Sequence, residues 1–236
     1  MKRGLHLLLA SLLCASIAMA SPLMGMFQMS GVVTATITTL TWAGVDGTTP
    51  DVFTLALGTG SFASENGQNT IHDLDSATEP VGSVFPPQQF INFGVTPGLP
   101  SLMVNFIPMG NGGAAGCSQP ANGTVPPQTC TPVIPGGSPI TFQNNNDNGA
   151  VTGSSATWTL SGVTSDGLSH WTAIFTSQFV GQPYQDVLAT LAANGHVTDA
   201  YSANVSVTAI PEPQTALMMG LGVLLVIFGR LRRRQA

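Results

Sequence analysis

Residues 201–209 read Tyr-Ser-Ala-Asn-Val-Ser-Val-Thr-Ala, so apolar and polar side chains alternate along the whole stretch. Because successive side chains of a β-strand point to opposite faces, this alternation predicts a strand with one buried and one solvated face. Residues 156–160 and 171–179 show the same period. Further strands are predicted at residues 32–42, 52–57, 90–93, 102–107 and 140–142. These strands predict an all-β protein, an antiparallel β-sandwich spanning residues 21–209.

One short helix is predicted within this series of strands. Pro183 suits the start of a helix, and Asp186 suits its first turn. Apolar side chains recur at helical spacing over residues 187–192, ahead of Asn194 and Gly195. We interpret the helix as a crossover connection that covers one end of the sandwich, and a lid over a ligand is the alternative.

Basic residues are confined to the two ends of the chain. No Lys or Arg lies between Arg3 and Arg230, whereas ten carboxylates lie between Ser21 and Ile210. Phosphate backbones are held mainly by Lys and Arg, so the composition excludes nucleic acid as a partner. It equally excludes a Schiff-base lysine, an arginine clamp and a P-loop lysine in the body.

Residues 1–20 have the three parts of a secretory signal peptide. Met1–Arg3 is basic, residues 5–17 are apolar, and Ala18-Met19-Ala20 matches a cleavage site. Cleavage is therefore predicted after Ala20. A permanent N-terminal membrane helix is the alternative, and the shortness of the apolar run argues against it.

The C-terminal segment, residues 210–236, contains three features in a fixed order. Pro211-Glu212-Pro213 comes first, and an apolar stretch over residues 216–228 follows. The prolines predict an extended, accessible segment ahead of a membrane helix at about residues 215–229. The tail 230–236 is expected to stay cytoplasmic by the positive-inside rule. Its basic residues are Arg230, Arg232, Arg233 and Arg234.

This order of features resembles the PEP-CTERM sorting signal of Gram-negative bacteria that make exopolysaccharide. The resemblance covers residues 210–236, with Pro211, Glu212 and Pro213 as the sorting motif. It implies export, temporary retention in the inner membrane, and recognition by an exosortase. It further implies delivery to the cell surface or extracellular matrix, where exopolysaccharide is a possible partner. A plain C-terminal membrane anchor without processing is the alternative.

The segment 110–137 is rich in Gly, Pro, Asn and Gln and is predicted to be a long loop. It contains Cys117 and Cys130, the two cysteines that remain after removal of residues 1–20. Two cysteines in an exported protein predict a disulfide, which would close this loop.

Three short stretches contain residue types that occur in chemical sites. Residues 144–149 match part of a calcium loop, but Ser155 stands where a bidentate Glu belongs, so a turn is favoured. Residues 72–75, His-Asp-Leu-Asp, could contribute to a metal site or an acid/base pair, but nothing completes them, and a solvated loop is expected. Asp166, Ser169 and His170 contain triad residue types without a G-x-S-x-G elbow, so a triad is rejected.

Five aromatic residues could form a sugar-stacking platform, but aromatic residues on alternating strands are expected in the core. They are Trp42, Trp158 and Trp171, with Tyr184 and Tyr201. No catalytic residue, metal site or cofactor is predicted. The sequence therefore favours a non-enzymatic exported surface or matrix protein. A secreted carbohydrate-binding module or weak glycosidase and a calcium-stabilised adhesin are the alternatives.

Overall fold

The computed structural model describes residues 21–94, 98–124, 126–211 and 222. The predicted signal peptide over residues 1–20 lies outside this part of the chain, and so does the basic tail over residues 230–236. Of the predicted membrane helix at about residues 215–229, only Gly222 is described. No helix formed by the described residues has the length and apolar character needed to cross a membrane.

The described residues form a twelve-stranded sheet and one α-helix. Every strand pair in the sheet is antiparallel. The predicted antiparallel β protein with one short α-helix is therefore confirmed. The elements are β1 (Gly25–Ala35), β2 (Thr39–Ala43), β3 (Val52–Ala56), β4 (Gly67–Ile71), β5 (Leu74–Asp75), β6 (Val84–Asn92), β7 (Leu102–Phe106), β8 (Thr129–Cys130), β9 (Thr141–Asp147), β10 (Ala150–Thr164), β11 (Ser169–Val180), α1 (Tyr184–Asn194) and β12 (Val197–Ala209).

Eight of the strands form a closed ring of hydrogen-bonded neighbours. The order is β11-β12-β1-β3-β4-β6-β7-β10, and β10 pairs again with β11. The other four strands extend from this ring: β2 pairs with β1 and β5 with β2, while β9 pairs with β10 and β8 with β9. Because the ring closes, the inward side chains of all eight strands share one core.

The predicted strand over residues 32–42 proved to be two strands joined by a turn. β1 ends at Ala35 and β2 begins at Thr39. The Thr36 Oγ1 atom accepts hydrogen bonds from the backbone N–H groups of Thr38 (3.1 Å) and Thr39 (2.9 Å). A threonine hydroxyl can thus close a turn inside a run of residues that favour strands, which is why alternation alone missed it.

The helix α1 has the predicted boundaries, but it is not a crossover connection. Pro183 precedes it, and Gly195 ends it in the left-handed conformation at φ 77°. The strands that it joins, β11 and β12, are antiparallel neighbours with Ser169 opposite Ala209. A crossover links parallel strands, so the antiparallel pairing corrects that interpretation.

Aromatic side chains fill the core of the ring. Trp42, Trp158 and Trp171 are 2%, 3% and 1% exposed, which confirms their prediction as core residues. The rings of Trp158 and Phe175 stack with centroids 5.3 Å apart, and those of Trp171 and Phe90 with centroids 5.7 Å apart. These tryptophans therefore cannot form an exposed sugar-stacking platform.

Close backbone packing accompanies the burial of Trp171. Its Nε1–H donates a hydrogen bond to the Met103 carbonyl oxygen (3.0 Å). Gly162 lies at the register shift between β10 and β7, and a Cβ atom there would come within 1.8 Å of the same oxygen. Only glycine allows β7 to approach β10 this closely, so Gly162 helps to close the ring.

Candidate functional site

The predicted sorting motif begins where the body ends. β12 stops at Ala209, the Ile210 N–H donates to the Leu168 carbonyl oxygen (2.8 Å), and Pro211 is exposed. Gly25 at the start of β1 lies opposite Val207 in β12. We call this end, formed by residues 21–25 and 207–211, the terminal pole. The other two residues of the predicted motif and the whole predicted basic anchor lie outside the described residues. They are Glu212 and Pro213, and Arg230, Arg232, Arg233 and Arg234.

The predicted disulfide between Cys117 and Cys130 is present, with their Cα atoms 4.9 Å apart. The loop around it is more ordered than the sequence predicts. It contains a 3-10 turn at Ala115–Ser118 and the short strand β8, in which Cys130 pairs with Phe142 of β9. Cys130 is fully buried, so the disulfide fastens residues 110–137 against the body.

A network of amide groups joins this loop to the helix. The Asn144 Nδ2 atom donates to the Oε1 atoms of Gln128 (3.0 Å) and Gln185 (3.1 Å). The Asn144 Oδ1 atom accepts from the backbone N–H of Tyr184 (3.0 Å), at the first turn of α1. The Tyr184 hydroxyl donates to the Gly116 carbonyl oxygen (2.9 Å) beside the disulfide. One buried asparagine therefore fixes the helix and the loop together.

The turn predicted for residues 144–149 is confined to its last two residues. Asn144–Asp147 belong to β9, and only Asn148 (φ 50°) and Gly149 (φ 82°) adopt left-handed conformations between β9 and β10. Asn and Gly at these positions form the tight hairpin. The side chain of Asn144 is occupied by protein partners, which removes it from any calcium loop.

The stretch from His72 to Asp75 is only in part the solvated loop that the sequence predicts. His72 and Asp75 are exposed, but Leu74 is buried, and Leu74 and Asp75 form β5, which pairs with β2. Asp73 is half-buried and accepts a hydrogen bond from the backbone N–H of Trp42 (2.9 Å). Burial raises the pKa of Asp73, and nearby Asp51 adds to that rise. Across the residues that the structure describes, no three His, Cys, Asp or Glu side chains are grouped to hold a metal ion.

The residues of the rejected triad lie in and after the turn between β10 and β11, and they do not converge. Asp166 accepts a hydrogen bond from the backbone N–H of Leu168 (3.0 Å), inside the connecting turn. Ser169 is fully buried, whereas His170 is exposed. Neighbouring strand residues point in opposite directions, so the two side chains cannot act as nucleophile and base on one substrate atom.

An apolar hollow lies at the end of the body opposite the terminal pole. It encloses about 60 Å³ between the β1–β2 turn, residues 132–140, the helix α1 and the inner face of the sheet. Ala156 of β10 lies opposite Ser177 of β11, and these two small side chains leave the space open. We call this space the apolar hollow. Its lining includes Val33, Ile37, Ile134, Trp158, Leu188 and Leu191.

Three polar atoms in this lining have no hydrogen-bond partner. They are the Nε1 atom of Trp158, the Oγ atom of Ser177 and the Oδ2 atom of Asp199. Burial raises the pKa of Asp199, against the opposing effect of backbone hydrogen bonds from Ala200 and Gln178. The sequence reasoning missed Ser177 and Asp199 as site residues. Each could have been found as a polar residue at a position where the alternation of its strand predicts an inward, apolar side chain.

Comparisons of the chain with protein-family models, with curated proteins and with solved structures find no match. The described residues define the class as an antiparallel β protein with a closed ring of strands and a disulfide-fastened loop. Its two candidate functional features lie at opposite ends. The predicted sorting segment follows the terminal pole, and the apolar hollow opens at the other end.

Proposed function

We propose that this chain is a non-enzymatic exported protein of the cell surface or extracellular matrix, sorted and processed through its C-terminal segment. The single observation that carries the proposal is the order of three features after the body. These are Pro211-Glu212-Pro213, the apolar stretch 216–228 and the arginine cluster that begins at Arg230. The resemblance of this order to a PEP-CTERM signal points to an exosortase and the secretion machinery as partners.

The disulfide supports the export part of the proposal. Disulfides form and persist in oxidising compartments outside the cytosol, and they are rare in cytosolic proteins. The bond between Cys117 and Cys130 closes an ordered loop and buries Cys130. A body that depends on such a bond suits the periplasm, the cell surface or the medium.

The exposed position of Pro211 supports the processing part. Proline has no backbone N–H and disfavours helical geometry in the residue before it, so two prolines around Glu212 keep the segment extended. Pro211 is solvent-exposed, and β12 has ended two residues earlier. In our proposal the apolar segment holds the chain in the inner membrane while an exosortase cuts near Pro211 and releases the body.

We further propose that the body packs as a two-layered sandwich within its closed ring of strands. Support comes from ring contacts between strands that share no backbone pairing. Trp42 of β2 meets Trp158 of β10 at 6.3 Å, and Phe90 of β6 stacks on Trp171 of β11. Two facing layers bring such side chains together across a core. An acidic outer surface without Lys or Arg would keep this sandwich soluble among exopolysaccharide chains.

The test is mass spectrometry of protein recovered from the surface and medium of a Gram-negative host that carries an exosortase. We expect a mature chain that begins at Ser21 and ends near Pro211. Glu212→Ala should keep its C-terminal segment and accumulate in the inner membrane. Asp147→Ala removes an exposed carboxylate from the body and serves as the matched control, which should be processed like the unaltered chain.

Two outcomes would count against the proposal in different ways. Release of Glu212→Ala at the normal rate would mean that the motif does not direct processing, and a plain membrane anchor would then explain the segment. Recovery of the unaltered chain from the cytosol with both termini intact would exclude export itself.

A further inference from the structure

Three exposed apolar side chains lie on the outer surface beside the terminal pole. Met24, Met26 and Leu57 are 50%, 58% and 70% exposed, and we call them the apolar rim. The two methionines flank Gly25, at the point where β1 pairs with the last residues of β12. Neighbouring strands lie about 4.8 Å apart, so the rim is close to Pro211, where the chain leaves the body.

Backbone hydrogen bonds hold the two methionines of the rim in place. The Met24 N–H donates to the Ser61 Oγ atom (3.1 Å), and the Ser61 N–H donates back to the Met24 carbonyl oxygen (2.8 Å). Met26 and Thr59 form the same reciprocal pair, at 3.0 and 2.8 Å. The backbone of this edge is fully paired with the segment that follows β3, so the exposure of both side chains is a property of the fold.

Leu57 is exposed because of its backbone conformation. Phe53 and Leu55 of β3 are buried, and continued alternation would turn residue 57 inward as well. The φ angle of Leu57 is 53°, in the left-handed region that leucine rarely adopts. Its side chain is therefore exposed rather than packed in the core. A strained backbone that presents an apolar side chain to the outside points to an interaction at this position.

The predicted membrane segment brings a lipid surface to this pole. The apolar stretch begins at residue 216, five residues after Pro211. A fully extended chain covers at most about 3.6 Å per residue, so this tether covers at most roughly 18 Å. β1 has 11 residues and runs roughly 36 Å from the pole to the end that carries the apolar hollow, the far end. An inverted body, with its far end on the membrane, would need a longer tether.

The distribution of carboxylates favours the same orientation. Exposed carboxylates at the far end are Asp75 beside the start of β2, Asp147 in the β9–β10 hairpin and Asp186 in α1. At the rim, Met26 lies opposite the uncharged Ser206. Asp166 is exposed in the turn before β11, at the same end as the rim. Moving a carboxylate towards hydrocarbon costs free energy, so the rim suits a lipid surface better than the far end does.

We propose that the apolar rim rests on the lipid surface while the chain is anchored, with Met24, Met26 and Leu57 inserted among the lipids. This inference rests on the proposed function, because it requires the C-terminal segment to lie in the membrane. Three side chains are too few to hold a free body there, but a short tether raises the effective concentration of the surface. A cut near Pro211 removes the tether, so the contact orients the body before processing and does not oppose its release.

The test follows the methionine methyl groups of the anchored chain. The chain is labelled with ¹³C-methyl methionine in an exporting Gram-negative host without an exosortase, recovered from the inner membrane, and placed in phosphatidylcholine nanodiscs. A spin-labelled lipid in the nanodisc broadens the signals of nearby methyl groups. Met218 and Met219 belong to the apolar stretch and report on anchoring. Met109 is 60% exposed and lies beside Gly137 at the far end, so it is the matched control.

We expect the Met24 and Met26 signals to lose most of their intensity when the spin-labelled lipid is present, and the Met109 signal to keep its intensity. Met24→Leu and Met26→Leu assign the two signals. The proposal is overturned if both signals stay as sharp as that of Met109 while Met218 and Met219 are broadened, as when a second copy of the chain covers the rim. Sharp Met218 and Met219 signals would instead overturn the proposed anchoring, and this inference with it.

A charged variant gives a second readout, the methyl signals of ¹³C-labelled Leu57. These signals should be broadened in the unaltered chain and become sharp in the double variant Met24→Glu, Met26→Glu, whose carboxylates resist contact with lipid. Met109→Glu makes the same change at the far end and should leave Leu57 broadened. Leu57 signals that stay equally broad in the double variant would overturn the role of the rim. If that variant does not fold, the methionine signals of the unaltered chain still decide.

Discussion

Asp199 and Asp46 show how two aspartates of one body acquire opposite titration behaviour. The Oδ2 atom of Asp199 is buried in the apolar hollow, and this burial raises the pKa of Asp199. Asp46 is exposed in a turn, where hydrogen bonds from the backbone N–H groups of Thr48 and Thr49 and from the Thr49 hydroxyl lower its pKa. The surroundings of each carboxyl group therefore decide whether its pKa is raised or lowered.

These opposite shifts predict opposite pH dependences of stability. The folded protein holds the Asp199 proton more tightly than the unfolded chain, so the stability that Asp199 contributes is lost as pH rises through its folded pKa. We expect the melting temperature of Asp199→Asn relative to the unaltered chain to increase as pH rises above about 4, the unfolded value for Asp.

Asp46→Asn is the control of opposite sign. The lowered pKa of Asp46 means that its contribution is present above the unfolded value and disappears in acid. Its variant should therefore be less stable than the unaltered chain at neutral pH and should approach it as pH falls. Thermal melts across pH 3 to 7 measure both variants. A constant difference between Asp199→Asn and the unaltered chain would show that the carboxyl group is not desolvated as the fold indicates.

At the scale of elements, the side chain of Asn144 in β9 joins the helix α1 to the loop of residues 110–137, which contains the disulfide. Asn144 accepts from the first turn of α1 and donates to glutamines in both neighbours. The capping group of this helix is thus supplied by another strand, since the residue before it, Pro183, makes no side-chain cap.

Replacing Asn144 should therefore loosen two elements at once. Asn144→Ala removes the acceptor of the Tyr184 N–H and the donor to Gln128 and Gln185, and we expect a loss of about 2 kcal/mol in the free energy of unfolding. The matched variant Asn145→Ala removes the next asparagine of β9, which makes only one exposed side-chain bond, to Gln178 (3.3 Å). It should change stability by less than about 0.5 kcal/mol. Urea denaturation compares them, and equal losses would contradict the role assigned to Asn144.

The disulfide should stabilise the body mainly by restricting the unfolded chain. Its cysteines are separated by 13 residues, and closing a loop of that length corresponds to about 3 kcal/mol at 25 °C. We expect the double variant Cys117→Ala, Cys130→Ala to lose roughly this free energy of unfolding in urea melts under oxidising conditions.

A reducing agent provides the control for this prediction. It should destabilise the unaltered chain to the level of the double variant and leave the double variant itself unchanged. A double variant as stable as the oxidised chain would show that the surrounding contacts of residues 110–137 suffice without the bond.

At the scale of the whole molecule, the absence of Lys and Arg from the body has a direct consequence. No ion pair between a Lys or Arg and a carboxylate can form within residues 21–210, so the body depends on its aromatic core and its backbone hydrogen bonds. The closed ring of eight strands serves that need, because it pairs both sides of each of its strands.

The same composition predicts complete resistance of the body to trypsin, even when it is unfolded. Trypsin cuts after Lys and Arg, so denatured and reduced full chain should yield one large fragment that ends at Arg230. A chain processed at Ala20 should yield a fragment that starts at Ser21, and an unprocessed one a fragment that starts at Gly4. Intact-mass measurement distinguishes them, and fragments cut inside residues 21–229 would contradict the prediction.

The sequence identified those elements whose pattern is strong within a single segment. The alternation at residues 201–209 predicted β12, and Pro183, the helical spacing and Gly195 predicted α1. It did not identify β4, whose residues Gly-Gln-Asn-Thr-Ile are mostly polar, or the two-residue strands β5 and β8. Such strands exist because a neighbouring strand offers backbone partners, and a local pattern does not contain that neighbour.

The amino-acid sequence by itself determined the β class, the short helix, the disulfide pair and the absence of Lys and Arg from the body, because each depends on residue types or local periodicity. Only the tertiary structure decided the closure of the ring, the capping of α1 by Asn144 and the formation of the apolar hollow between distant segments. The physical reason is that these features join residues from strands far apart in the chain, whose register is set by packing around a shared core.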